Sequence, residues 1–261
     1  MKPPAPEVTA QRMKIIPIAS GSSGNCFFLD MEGNKILIDL GVSGKVLKSS
    51  LACCGYSPAD IEAVLITHSH SDHIKGYASC MKQMSARVFM SGTTKNILCA
   101  DNAAALEYSC RTEILPGLFV TAFRTPHDAI GSVGFLIESG SSRFGYATDL
   151  GFFPEEGKEL LRGADCIVIE SNHDEQMLMQ GPYPVYLKRR ILSDRGHLSN
   201  KACGEAIKFF EENGTRHFML AHLSRENNTP EKALSSALSC VCSPDTTVVV
   251  LPMCGSSFYE Y

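Results

Sequence analysis

The chain has 261 residues, a formal net charge of −4, and 44% hydrophobic against 20% charged residues. That is globular composition, long enough for one large or two small domains. It contains no apolar run near the roughly 20 residues of a membrane helix, and its first residues lack the apolar stretch of a signal peptide, so no membrane partner is expected. The charge alone gives no support to a nucleic-acid binder, and does not exclude one. Eleven cysteines are scattered without C-x-x-C spacing. An odd number of thiols needs no explanation in a reducing cytoplasm, where the chain is expected to reside. Cys240-Val-Cys242 reads as packing rather than as a metal site.

In chain order, Met1–Arg12 is rich in proline and small residues and reads as a flexible tail. Met13 is an equally good natural start, because the first strand-like run begins there. Residues 13–261 read as a single domain with no internal repeat, low-complexity segment or linker. Met13–Ser20 and Cys26–Asp30 read as strands around the loop Gly21-Ser-Ser-Gly24, and Glu32-Gly-Asn34 turns into a strand over Lys35–Leu40. Ser57-Pro58 opens a short helix, Val64–Thr67 is a strand, and Ile74–Met84 reads as helical. Strands follow over Leu118–Phe123, Ser132–Glu138 and Arg143–Thr148. Cys166–Ile169, His217–Ala221 and Thr246–Leu251 are apolar enough for buried strands. A helix from Ser199 or Asn200 to Glu212 stops at Asn213-Gly214, and a second runs from Pro230 to about Cys240 with Thr229 as its N-cap. Alternating strands and helices indicate an α/β fold.

Several of these strands hand over to a residue that binds metals. Asp39, His68, His127, Asp149 and His222 each lie at or just beyond a strand end. Sites in α/β folds form at such handovers, so five coincidences point to one site gathered from separated segments. The densest segment is His68-Ser-His70-Ser-Asp72-His73. In extended backbone, His68 and His70 point the same way. A turn at Ser71 then aims Asp72 and His73 at a second position. Imidazole and carboxylate are the ligands that zinc and similar divalent metals prefer.

H-x-H-x-D-H after a strand resembles the signature of the metallo-β-lactamase superfamily. Its other motifs are resembled, in order, by Asp39 in Leu37-Ile-Asp-Leu-Gly41, His127 in Thr125-Pro-His-Asp128, Asp149 in Ala147-Thr-Asp-Leu-Gly151 and His222 in Leu220-Ala-His-Leu-Ser224. The resemblance implies a four-layer αβ/βα sandwich carrying two divalent metal ions at one edge. It implies that His68, His70 and His127 hold the first metal, that Asp72, His73 and His222 hold the second, and that Asp149 bridges them. Asp39 would orient a ligand by hydrogen bonding. Zinc suits so many histidines; manganese or iron also accepts mixed nitrogen and oxygen ligands. Two such metals activate water for attack on phosphorus or on a carbonyl carbon, and Asp72 belongs to that catalytic apparatus. His73, absent from β-lactamases of this fold, points instead to the two-metal hydrolases.

Glu170 and His197 resemble the strand-end glutamate and the histidine that form a proton-transfer pair in tRNA 3′-processing nucleases. His173 reads as an ordinary solvated histidine. Gly21-Ser-Ser-Gly-Asn-Cys26, Gly196-His-Leu-Ser-Asn200 and His222-Leu-Ser-Arg-Glu-Asn-Asn-Thr-Pro230 are similar to the bacterial YycJ/WalJ family, which implies 5′–3′ exonuclease activity on double-stranded DNA. The short interval between Asp149 and His222 leaves no room for a β-CASP insertion. Lys188, Arg189, Arg190 and Arg225 are candidate phosphate contacts, although a solvated helix face explains the first three equally well. Tyr183 or Tyr186 could stack on a base, and Ser22, Ser23 and Asn25 sit in a loop suited to the rim. Two alternatives stay open: a hydrolase of small esters, thioesters or cyclic phosphates, and a non-catalytic metal-binding module.

Overall fold

The computed structural model describes residues 13–252 and 259–261; the expected tail, Met1–Arg12, and Cys254 lie outside them. The first half of the chain builds one sheet from β1 (Lys14–Ala19), β2 (Cys26–Met31), β3 (Asn34–Ile38), β4 (Ala63–Ile66), β5 (Arg87–Ser91) and β6 (Ala104–Leu106). The second half builds another from β7 (Thr112–Leu115), β8 (Leu118–Arg124), β9 (Val133–Ser139), β10 (Ser142–Ala147), β11 (Cys166–Glu170), β12 (His217–Ala221) and β13 (Thr247–Val250). β14 (Tyr259–Glu260) returns to the free edge of β1, where the Met13 and Tyr261 backbones exchange hydrogen bonds of 2.8 and 3.0 Å.

Side chains alternate faces along a strand, and here both faces are apolar. Ile36 and Ile38, Leu65, Val168 and Met219 point into the core between the sheets. Leu37, Val64 and Ile66 point outward onto α1 (Gly44–Cys53) and the Cys80 face of the first sheet. Ile167, Ile169, Phe218 and Leu220 pack on the second outer layer, formed by α5 (Glu155–Leu161), α8 (Asn200–Glu212) and α9 (Pro230–Leu238). The continuous apolar runs in the sequence are therefore strands covered on both sides, and the result is a four-layer αβ/βα sandwich.

Each sheet follows the same plan. Antiparallel hairpins lead to β3 in the first and to β10 in the second, and three parallel strands then continue each sheet. Asp39 directly follows β3 and Asp149 lies two residues beyond β10; both open the tripeptide Asp-Leu-Gly, and both have a left-handed backbone, with φ of 62° and 59°. This is a repeat in structure that is too short to stand out in sequence. His222, following β12, shares the conformation with φ 59°. Such strained positions cluster at functional sites. Gly41 and Gly151 end the two tripeptides where a side chain would collide with backbone, that of Asp72 and that of Asp194 respectively.

The expected strand positions match within a residue or two; the expected Thr229 cap accepts a hydrogen bond from Lys232, and Ser199 caps the helix that starts at Asn200, accepting from Ala202. The expected helix over Ile74–Met84 is instead two short ones, α2 (Ser71–Ile74) and α3 (Tyr77–Met81). They are parted where the Gly76 amide turns away to bond the Leu40 carbonyl at 2.9 Å. α2 begins earlier than expected and carries Asp72 and His73 itself. Three further α-helices are α4 (Gly92–Leu98), α6 (Glu175–Gln180) and α7 (Val185–Ile191). Among the described residues, no helix is long and apolar enough to cross a membrane.

Glu211, buried at the end of α8, fixes the approach to β13. Its carboxylate accepts from the Cys242 and Ser243 amides at 2.9 Å and from the Thr246 hydroxyl at 2.8 Å. Burial opposes its ionisation, but the Ser243 and Cys242 amides, with Thr246 and Arg216, outweigh it and hold the carboxyl below its usual value. A depressed carboxyl stabilises the fold above its unfolded pKa, and that contribution is lost as pH falls through the folded value. Glu211→Gln is expected to lower unfolding free energy by about 2 kcal/mol near neutral pH. In urea titrations the difference from wild type should shrink as the pH falls below the ordinary carboxylate range.

Candidate metal centre

The centre lies where the parallel strands of both sheets hand over to loops. Thr67, just past β4, is the first anchor. Its amide and hydroxyl each donate to Asp39 at 2.8 Å. His68 follows, with Nδ1 at 3.0 Å from the Thr67 hydroxyl. That contact leaves the His68 Nε2 bare, buried and without a hydrogen-bond partner. His127, in the β8–β9 loop, donates Nδ1–H to the Gly196 carbonyl at 3.1 Å, which again frees Nε2. This Nε2 faces Nδ1 of His70 at 3.3 Å. The other nitrogen of His70 lies 3.4 Å from Asp128. One ring nitrogen from each of His68, His70 and His127 falls within 4.8 Å of the others.

The second group forms in the same way. His73 donates Nδ1–H to Asp39 at 2.7 Å, and His222 donates Nδ1–H to Glu170 at 2.9 Å. Their Nε2 atoms turn toward Asp72, at 3.5 and 3.7 Å. The His222 Nε2 has no hydrogen-bond partner; at His73 the Asn25 amide nitrogen stands 2.9 Å away and takes the lone pair. Asp149 sits between the groups. One oxygen is 3.6 Å from His222 and 3.8 Å from His127; the other is 3.3 Å from His73 and lacks a hydrogen-bond partner.

These residues fit a pair of cations. Imidazole nitrogens gathered around buried carboxylates are what a cation joins, and each histidine is held by its opposite nitrogen, the arrangement that orients metal ligands. Charge agrees. Asp39, Asp149 and Glu170 are fully buried, Asp72 is largely so, and among the described residues no lysine or arginine pairs with any of them. Burial, and then the neighbouring rings of His73, His127 and His70, drive His68 well below its usual pKa, so it stays neutral. His222 is raised well above its usual value: burial opposes this, but Asp149, Asp72 and Glu170 outweigh it. Uncompensated carboxylates of this kind call for positive charge.

Residues 34–223 match the Beta-lactamase superfamily domain. The chain belongs to the metallo-β-lactamase superfamily. It is 34% identical over 241 residues to Exodeoxyribonuclease WalJ of Streptococcus pneumoniae, covering 89% of this chain and 90% of the relative. It is 32% identical over 225 residues to Exodeoxyribonuclease YycJ of Bacillus anthracis, covering 84% and 85%. The metallo-β-lactamase fold protein YhfI of Bacillus subtilis superposes with a TM-score of 0.75 at 17% identity, covering 96% of this chain and all of the other. As a member of this superfamily the chain is a metal-dependent hydrolase.

Around the metallo-β-lactamase centre, the other sequence-derived residues take varied places. Glu170 is wholly buried and accepts four hydrogen bonds, from His197 at 2.8 Å, His222 at 2.9 Å, and the Leu150 and Leu198 amides at 3.0 and 3.2 Å. It therefore meets substrate only through the histidines it holds. His197 is partly exposed and lines a cleft of about 170 Å³ with Tyr183 and Arg190. His173 is not solvated as expected. It is buried with both ring nitrogens unpartnered, and burial lowers its pKa to about 4. Asn25 is not at the rim but buried beside His73, with its carbonyl oxygen fixed by the Gly21 amide at 2.8 Å.

The candidate phosphate contacts divide. Arg189 is exposed. Lys188 donates to the Met179 carbonyl at 2.7 Å, and Arg225 donates to Ser23 at 3.0 Å. Arg190 closes on Asp128 through Nε at 2.7 Å and Nη2 at 2.6 Å. Asp128 in turn faces His70, so Arg190 reaches the centre as a buttress. Asp128 follows His127 directly in sequence, a signal that was present; nothing in sequence pairs it with Arg190.

Two outcomes are expected. Zinc added to metal-stripped protein should raise its melting temperature, by an amount corresponding to about 2.7 kcal/mol at a hundredfold excess over Kd, and His68→Ala should blunt the rise. Asp128→Ala should weaken metal affinity about tenfold or more in chelator competition, as loss of a ligand's hydrogen-bond partner does elsewhere, with Arg190→Ala following in the same direction.

Proposed function

We propose that the chain is a two-metal phosphodiesterase that releases nucleotides from DNA, acting as a 5′–3′ exonuclease on duplexes. The observation that carries this reading is the position of Asp149, within 4 Å of histidines from both groups of inward-facing ligands. In this reading His68, His70 and His127 hold one ion, Asp72, His73 and His222 hold the other, and Asp149 serves both. Zinc is the expected resident, with manganese or iron as substitutes. DNA is favoured as substrate because the relatives named exodeoxyribonucleases align along almost their whole length. The catalytic unit is taken as one domain over residues 13–261. A cytoplasmic location fits a chain of eleven scattered cysteines.

The bound ions would supply a water activated at neutral pH and positive charge beside the phosphate. The protein's own groups do the rest. Asp39 and Glu170 lock the His73 and His222 rings so that no reorientation is needed during turnover. Glu170 also fixes Nδ1 of His197, which leaves that ring's Nε2 as the group that passes a proton to the leaving oxygen. Burial works against a charged His197, yet Glu170 and Asp149 raise its pKa above the usual value, as a proton donor requires. In this reading the exposed Arg189, and Arg225 on the Ser23 loop, serve as phosphate partners.

Asp72→Asn is expected to abolish metal-dependent release of nucleotide from end-labelled duplex DNA. His197→Ala should lower kcat by about a hundredfold or more with metal content near wild type, the usual scale for losing a general acid. A His197→Ala protein that has lost its metals would instead assign that ring to holding the centre. Hydrolysis of a thioester with none of DNA would overturn the nuclease reading.

A further inference from the structure

Two clefts meet at the centre, one on each side of the Asp128–Arg190 pair: Asp128 lines the first and Arg190 the second. The second, containing His197 and Tyr183, has no carboxylate among its lining residues. The first is larger, about 630 Å³, and shares His127 with the first ligand group. Its chemistry is different. Asp128, Glu156 and Asp194 line it against Arg124 and Arg195, so it does not form a uniformly positive channel for phosphates.

Its apolar parts point to a flat ligand. Ile130 is 74% exposed and Phe152 48% exposed, unusual for large side chains with no partner to cover them. Beside them the Arg124 guanidinium lies 4.3 Å from the centre of the Tyr108 ring. A guanidinium already backed by a ring offers a preformed platform, and nucleobases stack on such planes and on exposed aromatic rings. The volume lies in the range of small-molecule sites. Carboxylates at the wall accept hydrogen bonds from exocyclic amino groups of an unpaired base, whereas they would repel a phosphate.

We propose that this first cleft is a nucleoside pocket, which receives one unpaired base next to the phosphate being cleaved. The inference rests on the phosphodiesterase reading above and adds the site that grips the base. It assigns Phe152 and Ile130 to binding, apart from the metal ligands. The backbone of the adjoining nucleotide then leaves through the carboxylate-free second cleft.

The test compares wild type with a Phe152→Ala, Ile130→Ala double variant. Both substituted side chains are exposed, so the fold and metal content should stay intact. Each protein is given an end-labelled duplex, the same duplex with abasic residues at its final two positions, and methyl p-nitrophenyl phosphate, which has no nucleoside. Wild type should cleave the intact end at least about tenfold faster, in kcat/KM, than the abasic end, given the usual worth of stacking on one base. The variant should lose about the same factor on intact DNA, cease to distinguish the two ends, and hydrolyse the small diester as wild type does. Equal discrimination by both proteins, or none by wild type, overturns the pocket while leaving the nuclease reading in place. Hydrolysis of the small diester with no release from either DNA overturns the nuclease reading, and the pocket with it.

Discussion

A carboxylate taken out of water needs a compensating charge or a full set of hydrogen bonds, and an uncompensated one is among the most unfavourable groups a fold can bury. This chain gathers Asp39, Asp149 and Glu170 around one point, with Asp72 beside them and, among the described residues, no lysine or arginine paired with them. Asp39 and Glu170 are satisfied by imidazole, amide and hydroxyl donors. In being satisfied they dictate which nitrogen of His73 and of His222 carries the proton. Their Nε2 atoms then face inward, toward Asp72 and Asp149, which lack the donor sets that Asp39 and Glu170 enjoy. The geometry of the centre is thus a consequence of where its outer hydrogen bonds go.

The two sheets supply equivalent positions for different purposes. After β3 the left-handed Asp39 faces outward from the ligands and supports His73; after β10 the left-handed Asp149 faces inward between the groups. The same local backbone, closed by the same Leu-Gly, gives a buttress in one half and a carboxylate set between the two histidine groups in the other. Both glycines are required by close backbone approach, which ties Asp39 to the turn carrying Asp72 and ties Asp149 to the segment before His197.

Much of this was legible in the residues alone. The two-faced apolar runs marked the strands, and the strand-end histidines and aspartates marked the centre, because ligand types at handovers carry a local signal. What was illegible depends on contacts between distant segments. No spacing says that Arg190 closes on Asp128, that Asn25 turns inward to His73, or that Glu170 spends all its hydrogen-bonding capacity on four donors. The helix expected over Ile74–Met84 failed for a related reason. The Gly76 amide is claimed by the Leu40 carbonyl, a tertiary bond that overrides local preference. His173 was misread as solvated because burial of a lone polar ring leaves no mark in sequence.

One small element has a wider bearing. β14 contributes only two residues, yet it pairs Lys14 and Ile15 of β1 on the side that would otherwise present open backbone groups. Uncovered strand edges are templates for sheet extension from one molecule to the next. With Tyr259 and Glu260 in place the sheet ends instead on a strand only two residues long, which offers little backbone for such extension.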